Sequence, residues 1–186
     1  MVSVSGSSKR FLNIAITSVE PWSGGDVVTP KTLYENTFEA DPTKEWTIEN
    51  KKLATGLTYV WSFNSNKYMK ASAYVNNVNL EAESWLISPE IDATSEKNAY
   101  LSFRHVQRYF NSTGDITLWA QKNGGAWTQV TIPNYSTGKD WTFVDSGTID
   151  LSDFAGGKLK FAFKYVSSSE KAGTWEIKNV KVTNTK

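Results

Sequence analysis

Alternation of apolar and polar residues with a period of two is the pattern that most constrains this chain. The segment KLKFAFKYV, Lys158–Val166, places a leucine, two phenylalanines and a tyrosine on one face and three lysines on the other. The segment AYLSFRHVQRYF, Ala99–Phe110, alternates in a similar way. Such alternation is typical of half-buried strands. No window carries a long apolar stripe with a period of 3.6, and IDLSDFAGG allows at most one helical turn. The sequence therefore predicts an all-β fold.

About ten short strand candidates lie at even spacing, separated by turn-forming segments such as KNGG, YSTGKD and DFAGG. This spacing predicts a jelly-roll β-sandwich of two antiparallel sheets. The start of the chain differs, because VSVSGSS and VEPWSGGDVVTP are linker-like and flank one possible strand over Phe11–Val19. We therefore predict a linker or the tail of a preceding domain over 1–32, followed by the sandwich domain over 33–186.

Composition excludes several classes of function. Twenty Lys and Arg against nineteen Asp and Glu leave a net charge of +1, and the charges are interspersed, which argues against nucleic acid as a partner. The chain has no cysteine, which excludes disulfides, thiolate metal sites and a cysteine nucleophile. The start, MVSVSGSSKRFLNIAITSVE, does not have the pattern of a signal peptide, and no segment is apolar enough for membrane insertion.

Several segments, taken in chain order, resemble a known family. They are LYENTFEADPTKEWTIEN, YMKASAYVNNVNLEAESWLISPEID, LSFRH, GTIDLSDFAGGKLKFAFKY and GTWEIKNVKV, and they cover roughly Leu33 to Val182. This pattern resembles the choice-of-anchor J and cleaved-adhesin-like jelly-roll domains, relatives of MAM-type domains that are abundant in exported proteins of Bacteroidetes. The resemblance implies a sandwich without catalytic residues. It also implies an extracellular, outer-membrane surface or periplasmic location.

The resemblance bears on metal binding as well. In many relatives the last strand is similar to Trp-x-Ile-Asp-Asp-Val, and its acidic residue helps to hold a structural calcium ion. Here Lys178 and Asn179 stand at those places, and a lysine ammonium opposes calcium electrostatically. Glu35, Glu39 and Asp41 are left as calcium candidates, although the sequence favours a domain without a cofactor.

The same strand changes phase along its length. Trp175 and Ile177 lie on one parity, whereas Val180 and Val182 lie on the other. Since one extra residue restores the alternation, we predict a β-bulge near Asn179.

The sequence does not indicate a catalytic centre. The only histidine, His105, follows Leu101 and Phe103 on the apolar side of its strand, and a lone histidine builds neither a triad nor a metal cluster by itself. We predict that it is a hydrogen-bonded histidine on the inner face. Glu90 and Asp92 are the best-placed carboxylates, but no second pair stands near them at glycosidase spacing. The domain is therefore predicted not to be an enzyme.

The hairpin DITLWAQKNGGAWTQVTI contains the best binding candidates. A two-residue loop would give the wrong parity, whereas a three-residue loop over 123–125 pairs Leu118 with Val130 and supplies glycine for positive φ. This register predicts that Trp119 and Trp127 lie together on the polar face of the hairpin.

Two tryptophans beside the amides of Gln121 and Gln129 could form a stacking platform for a sugar ring. Flat rings cover apolar C–H surface while amides bond hydroxyl groups. The alternative is structural, with this face packed under the leader segment or the other sheet.

A second aromatic group is predicted in loops, and it includes Trp61, Tyr68 and Tyr109. Loops at one end of a sandwich often carry binding function. The nearby segments SFNSNK and YVNNVN could bond hydroxyl groups or serve as ordinary turns. The remaining tryptophans of the predicted domain, which share parity with apolar positions or match the family pattern, are assigned to the core: Trp46, Trp85, Trp141 and Trp175. Ser84 and Ser88 are predicted to face outward.

Together these observations predict a non-catalytic extracellular module that binds a carbohydrate or another cell-surface ligand within a larger exported protein. The alternative is a structural spacer or protein–protein interaction domain of a surface lipoprotein. Glycan or surface protein is the expected partner, without nucleic acid. We expect a monomeric module within a longer chain.

Overall fold

The structure, a computed structural model, describes residues 28–186; the strand predicted over Phe11–Val19 lies outside the described residues. The described part contains fifteen strands and three short 3-10 turns. The strands are β1 Thr32–Asn36, β2 Thr47–Leu53, β3 Trp61–Asn64, β4 Tyr68–Ser72, β5 Tyr74–Val75, β6 Val78–Asn79, β7 Ala82–Ile87, β8 Ile91–Asp92, β9 Tyr100–Arg108, β10 Ile116–Lys122, β11 Thr128–Val130, β12 Val144–Asp145, β13 Ile149–Asp150, β14 Lys158–Ser167 and β15 Thr174–Thr183. The 3-10 turns are Pro42–Lys44, Thr113–Asp115 and Ser152–Phe154. Five of the strands have only two residues, which accounts for the excess over the ten or so predicted.

Two large antiparallel sheets pack against each other as a jelly-roll β-sandwich, which confirms the predicted fold class. The seven-stranded sheet has the order β12-β9-β15-β4-β3, with β1 also paired to β15 and β13 to β9. The six-stranded sheet has the order β11-β10-β14-β7-β2, with β8 paired to β14. Within residues 28–186, strands β5 and β6 pair only with each other. No helix among residues 28–186 combines the length and apolar character needed to cross a membrane.

The core between the sheets is rich in aromatic rings. On β14 the leucine, phenylalanines and tyrosine of KLKFAFKYV are buried, as the alternation predicts. The Phe163 ring lies 4.9 Å from that of Phe103 and 5.5 Å from that of Trp175, both on the opposite sheet. Trp46 and Trp175 are buried in this core, as predicted. Burial of large aromatic surface is the main stabilisation available to such a sandwich.

Strand β7 has the opposite orientation to the one predicted. Ser84 and Ser88 are buried on its inner side, whereas Trp85 lies on the outer face of the sheet. Both serine hydroxyls are satisfied: that of Ser84 donates to Asn50 Oδ1 at 2.7 Å, and that of Ser88 accepts the Phe161 N–H at 3.0 Å. A small hydroxyl with a hydrogen-bond partner can be buried at little cost, so these serines do not mark a solvent-facing side.

Strand β15 contains the predicted bulge. Its register against β9 shifts between Lys178 and Lys181, and Asn179 has a φ of 53°. Because the bulge resets the alternation, Ile177 and Val180 are both buried in the core.

The hairpin of β10 and β11 has the predicted register, with Leu118 opposite Val130. Its turn differs from the prediction, because the positive φ angles fall on Asn123 (53°) and Gly124 (70°), and the Gly125 N–H closes the turn at 2.9 Å. An extra residue between this two-residue turn and β11 restores the parity that a two-residue loop alone would lose.

Candidate functional site

Three tryptophans form a contiguous aromatic surface on the outer face of the six-stranded sheet, and we call it the tryptophan strip: Trp85, Trp119 and Trp127. The Trp85 ring centroid lies 5.5 Å from that of Trp119 and 5.6 Å from that of Trp127. Trp119 and Trp127 are partly exposed, whereas Trp85 between them is 8% exposed. The predicted sharing of one face by Trp119 and Trp127 is confirmed. The assignment of Trp85 to the core is wrong, because its neighbours on the outer face bury it.

A small side chain on the intervening strand allows the indoles to meet. Strand β14 lies between β7 and β10, and its Ala162 is directly opposite Trp119. Ala162 is fully buried although it belongs to the outward row of β14. Its methyl group leaves room above it, so Trp85 and Trp119 come into contact across β14.

The edges of the strip are polar and hydrogen-bonded. Trp119 Nε1 donates to Thr117 Oγ1 at 2.9 Å, and Trp85 Nε1 donates to Glu83 Oε1 at 3.0 Å. Lys164 Nζ lies 3.2 Å from Glu83 Oε1 and 5.4 Å from the Trp85 ring centroid. The hydrogen bond from Trp85 and the Lys164 ammonium hold the pKa of Glu83 below its usual range. These two indole N–H groups are engaged, and Lys164 Nζ also lies 5.8 Å from the Trp119 ring centroid. The surface open to a ligand is therefore formed by the exposed parts of Trp119 and Trp127.

The two predicted glutamines lie beside the strip. Gln129 is opposite Trp119 and exposed, while Gln121 is partly exposed and opposite Lys160 on β14. A flat aromatic surface bordered by amides can cover an apolar ring face and bond the hydroxyl groups around it.

A second surface group lies where β9 ends, and we call it the arginine–aromatic cluster: Arg108, Tyr109 and Trp141. Tyr109 is 57% exposed and Trp141 is 43% exposed, with ring centroids 6.2 Å apart. The guanidinium carbon of Arg108 lies 4.7 Å from the Tyr109 ring centroid and 5.2 Å from that of Trp141. The predicted surface position of Tyr109 is confirmed, whereas the assignment of Trp141 to the core is wrong.

Tyr109 lies between two cavities. One, of about 450 Å³, is lined by residues that include Tyr74 and Thr174, and the other, of about 350 Å³, by residues that include Arg108 and Ser136. Tyr109 itself lines both, and its φ of 66° is an uncommon backbone conformation for a bulky residue.

The other members of the predicted loop group lie elsewhere. Trp61 is 2% exposed on β3, with its ring 5.8 Å from that of Trp175, so its prediction as a surface loop residue is wrong. The alternation of β3 turns this side chain into the core. Tyr68 is partly exposed on β4, and its ring contacts Phe143 at 5.8 Å. Burial raises the pKa of the Tyr68 hydroxyl.

The three calcium candidates each have another partner. Glu35 Oε2 lies 3.5 Å from Lys181 Nζ, Glu39 pairs with Lys67, and Asp41 Oδ1 accepts a backbone N–H of the adjoining 3-10 turn at 2.9 Å. Over residues 28–186, no three His, Asp or Glu side chains are grouped so that they could hold a metal ion. The structure therefore does not bring these carboxylates together.

His105 is buried, and both ring nitrogens are hydrogen-bonded. Nε2–H donates to the Asn134 carbonyl at 2.8 Å, while Nδ1 accepts the Trp175 indole N–H at 3.1 Å. Burial lowers the pKa of His105 to about 4. Neither nitrogen is free to act as a general base, which confirms the predicted structural role.

Three residues of these surfaces were not recognised from the sequence as surface residues or binding candidates. For Trp85 the available signal was Glu83, a charged residue with the same parity on the same strand. For Trp141 it was the turn-rich segment YSTGKD immediately before it. The sequence pattern does not indicate the stacking of Arg108 on Tyr109 and Trp141, because Trp141 is distant from both along the chain.

No family model matches this chain, and no curated protein matches it. The fold is similar to the K1 cleaved adhesin domain of Lys-gingipain (Kgp) from Porphyromonas gingivalis W83, at 16% identity and a TM-score of 0.53, covering 83% of this chain and 98% of that one. The K3 cleaved adhesin domain of the same protein is similar at 14% identity and a TM-score of 0.52, covering 82% and 99%. These likenesses show a cleaved-adhesin-like fold.

Proposed function

We propose that this domain is a non-catalytic binding module and that the tryptophan strip binds a carbohydrate chain. The observation that carries the proposal is the contact of three indoles on the outer face of a sheet, outside the sandwich core. Sugar rings present apolar C–H faces that stack on aromatic rings, and Gln121 and Gln129 supply amide groups that bond hydroxyls.

The shape of the strip favours an extended ligand. The Trp85 ring contacts both other rings, at centroid distances of 5.5 and 5.6 Å, so the aromatic surface extends over more than one indole. A ligand on the outer face of a sheet can extend beyond the rings that it contacts, whereas an enclosed pocket accepts a single small molecule. We therefore propose a polysaccharide or a long oligosaccharide, and no cofactor is required.

We further propose that the domain acts outside the cell, as a choice-of-anchor J or cleaved-adhesin-like module of a larger exported protein. The order of the sequence segments that resemble this family supports the proposal. The fold shared with two domains described as cleaved adhesins agrees with it.

The proposal is tested by retention of the protein on neutral polysaccharides, measured by affinity electrophoresis in gels that contain mannan, xylan, galactan or soluble cellulose derivatives. We expect retention on at least one polymer. The double variant Trp119→Ala/Trp127→Ala is expected to bind at least roughly tenfold more weakly, because each lost aromatic contact contributes about 1 kcal/mol. Trp127→Phe, which keeps a ring, is expected to lose much less.

The matched control is Trp141→Ala, which removes an exposed tryptophan from the loop before β12, away from the strip, and is expected to bind the polymer normally. Melting temperatures establish that each variant is folded. Equal retention of the double variant and the parent would overturn the site. Failure of the folded parent to bind any of the polymers would favour a spacer or a protein-binding domain instead.

A further inference from the structure

We propose that the arginine–aromatic cluster is a second binding site, specific for a sugar that carries a carboxylate. It lies at the end of a strand of the seven-stranded sheet, whereas the tryptophan strip lies on the six-stranded sheet. The inference goes beyond the proposed function, because it assigns a charged ligand class to a different surface.

The polar groups of Arg108 have no partner in the described part of the chain. Its Nε is buried without a hydrogen bond, and its guanidinium forms no ion pair or hydrogen bond with residues 28–186. The terminal Nη groups are not among the buried unpaired atoms, so solvent reaches them. Buried polar groups in folded proteins are nearly always paired, so the Arg108 side chain is unusual in this fold. Its two Nη groups are accessible and unpaired within residues 28–186, so they could bind a ligand carboxylate through paired hydrogen bonds, whereas the buried Nε would not contact the ligand.

The exposed rings of Tyr109 and Trp141 indicate that the ligand also has an apolar face. Tyr109 and Trp141 hold the guanidinium by cation–π contact, and more than two fifths of each side chain is accessible. A small inorganic anion would pair with the guanidinium but would make no contact with the two rings. An acidic sugar combines a carboxylate with an apolar C–H face, so it would use both.

The backbone places Tyr109 where a ligand can reach it from two sides. Its left-handed φ of 66° is strained for a tyrosine, and such strain is concentrated at ligand sites. The cavities on its two sides, about 450 and 350 Å³, lie within the range of small-ligand sites. Both are lined by polar side chains together with tyrosine rings, a combination that suits a ligand with hydroxyl groups and an apolar face.

The carboxylate of Asp140 lies close enough to Arg108 for an electrostatic interaction with the guanidinium. Hydrogen bonds from Thr142 are the main cause of the lowered pKa of Asp140, and Arg108 contributes less. No ion pair joins Asp140 and Arg108. Because Asp140 would repel a ligand carboxylate, Asp140→Asn is expected to strengthen binding, roughly two- to fivefold.

The test is isothermal titration of the full chain, at low salt, with tetramers of galacturonic, glucuronic and mannuronic acid, each beside its methyl ester. We expect at least one acid to bind, and its methyl ester to bind roughly tenfold or more weakly, because esterification removes the charge and keeps the sugar ring. Arg108→Gln should weaken binding by a similar factor, and Trp141→Ala should weaken it as well. Arg108→Lys, which keeps the charge but not the fork, should retain part of the affinity.

The matched control is Arg104→Gln, on the same strand and face. Arg104 is already engaged, since its Nη2 donates to the Phe143 carbonyl at 2.9 Å and its Nε lies 3.5 Å from Asp145. This variant should bind the acid normally, as should the folded Trp119→Ala/Trp127→Ala double variant, so failure of this site is distinguishable from failure of the tryptophan strip.

Three outcomes would overturn the proposal. The first is that none of the acids binds the folded protein, and the second is that an acid and its ester bind equally. The third is that Arg104→Gln weakens binding as much as Arg108→Gln, which would indicate unspecific electrostatic attraction. Tighter binding of a glutamate-rich peptide than of every acid, lost in Arg108→Gln, would overturn the sugar in favour of an acidic peptide.

Discussion

His105 and Trp175 are joined by a hydrogen bond of 3.1 Å inside the sandwich. Because Nδ1 accepts and Nε2 donates, the imidazole is held in one neutral tautomer between the indole and the Asn134 carbonyl. The residue most suggestive of catalysis in the sequence is therefore part of the core.

The buried histidine predicts a loss of stability on acidification. An unfolded histidine has a pKa near 6.5, whereas burial lowers the pKa of His105 to about 4, so the unfolded chain binds the proton more strongly. As the pH falls from 6.5 to 4, His105 should remove about 3 kcal/mol of stability. Glu176 acts oppositely in the lower part of this range, because burial raises the pKa of its carboxyl. The pH dependence of the melting temperature therefore reports the sum of the His105 and Glu176 contributions.

The direct measurement is an NMR titration of the imidazole signals, which are unambiguous because the chain has one histidine. We expect a midpoint near 4 and the Nε2–H tautomer at neutral pH. In Trp175→Phe, Nδ1 loses its donor and is freer to take a proton, so the midpoint should rise. A midpoint near 6.5 in the parent protein would contradict the buried, doubly bonded histidine.

Single side chains could be predicted where alternation and polarity agreed. Alternation placed His105 inside correctly, since Leu101 and Phe103 share its parity and the strand is long. It failed for Trp85, because the serines beside it suggested a polar outer face although their hydroxyls are bonded inside the sandwich. Trp61 was predicted in a surface loop but lies on β3 inside the sandwich, whereas Trp141 was predicted in the core but is exposed before β12. In neither case does the local sequence indicate whether other residues cover the ring.

At the scale of single elements, the bulge in β15 is the clearest case of local backbone strain. Asn179 is exposed and adopts a φ of 53°, a region that asparagine and glycine tolerate and β-branched residues do not. Both halves of the strand bury their apolar residues because this one position absorbs the phase change.

The effect of a substitution at Asn179 on stability should depend on whether the new residue tolerates a positive φ, rather than on its polarity. Asn179→Gly is expected to leave the free energy of unfolding nearly unchanged, whereas Asn179→Val should lower it by about 1–2 kcal/mol, the cost of a left-handed conformation. Urea unfolding followed by tryptophan fluorescence measures both. The control is Lys181→Val, further along the same strand and without a positive φ, which should change much less. Equal costs at the two positions would contradict the bulge.

The hairpin register and the bulge could both be predicted, because each follows from the alternation of apolar and polar residues within a short segment. Leu118 and Val130 must share a face, and only one register permits it. The turn geometry at Asn123 and Gly124 could not be predicted, since a three-residue loop and a two-residue turn with an extra residue give the same parity.

At the scale of the whole molecule, the sandwich has two aromatic surfaces, one on the outer face of the six-stranded sheet and one in the loops at the end of β9. The fold class followed from the pattern of strands and turns. The neighbours of Trp85 did not, because β7 and β10 are brought together by β14, which comes much later in the chain. Contacts between strands distant in sequence depend on the sheet order, which alternation does not determine.

The central claim, that the tryptophan strip binds a carbohydrate chain, is tested most directly by an NMR titration of the indole N–H signals. The chain has eight tryptophans, and the added ligands are neutral hexasaccharides of mannose, glucose, xylose and galactose. We expect saturable shifts at Trp119 and Trp127 with at least one ligand, while the core indoles of Trp46, Trp61 and Trp175 stay unchanged. No shift with any of the four, or shifts confined to Trp141, would contradict the claim.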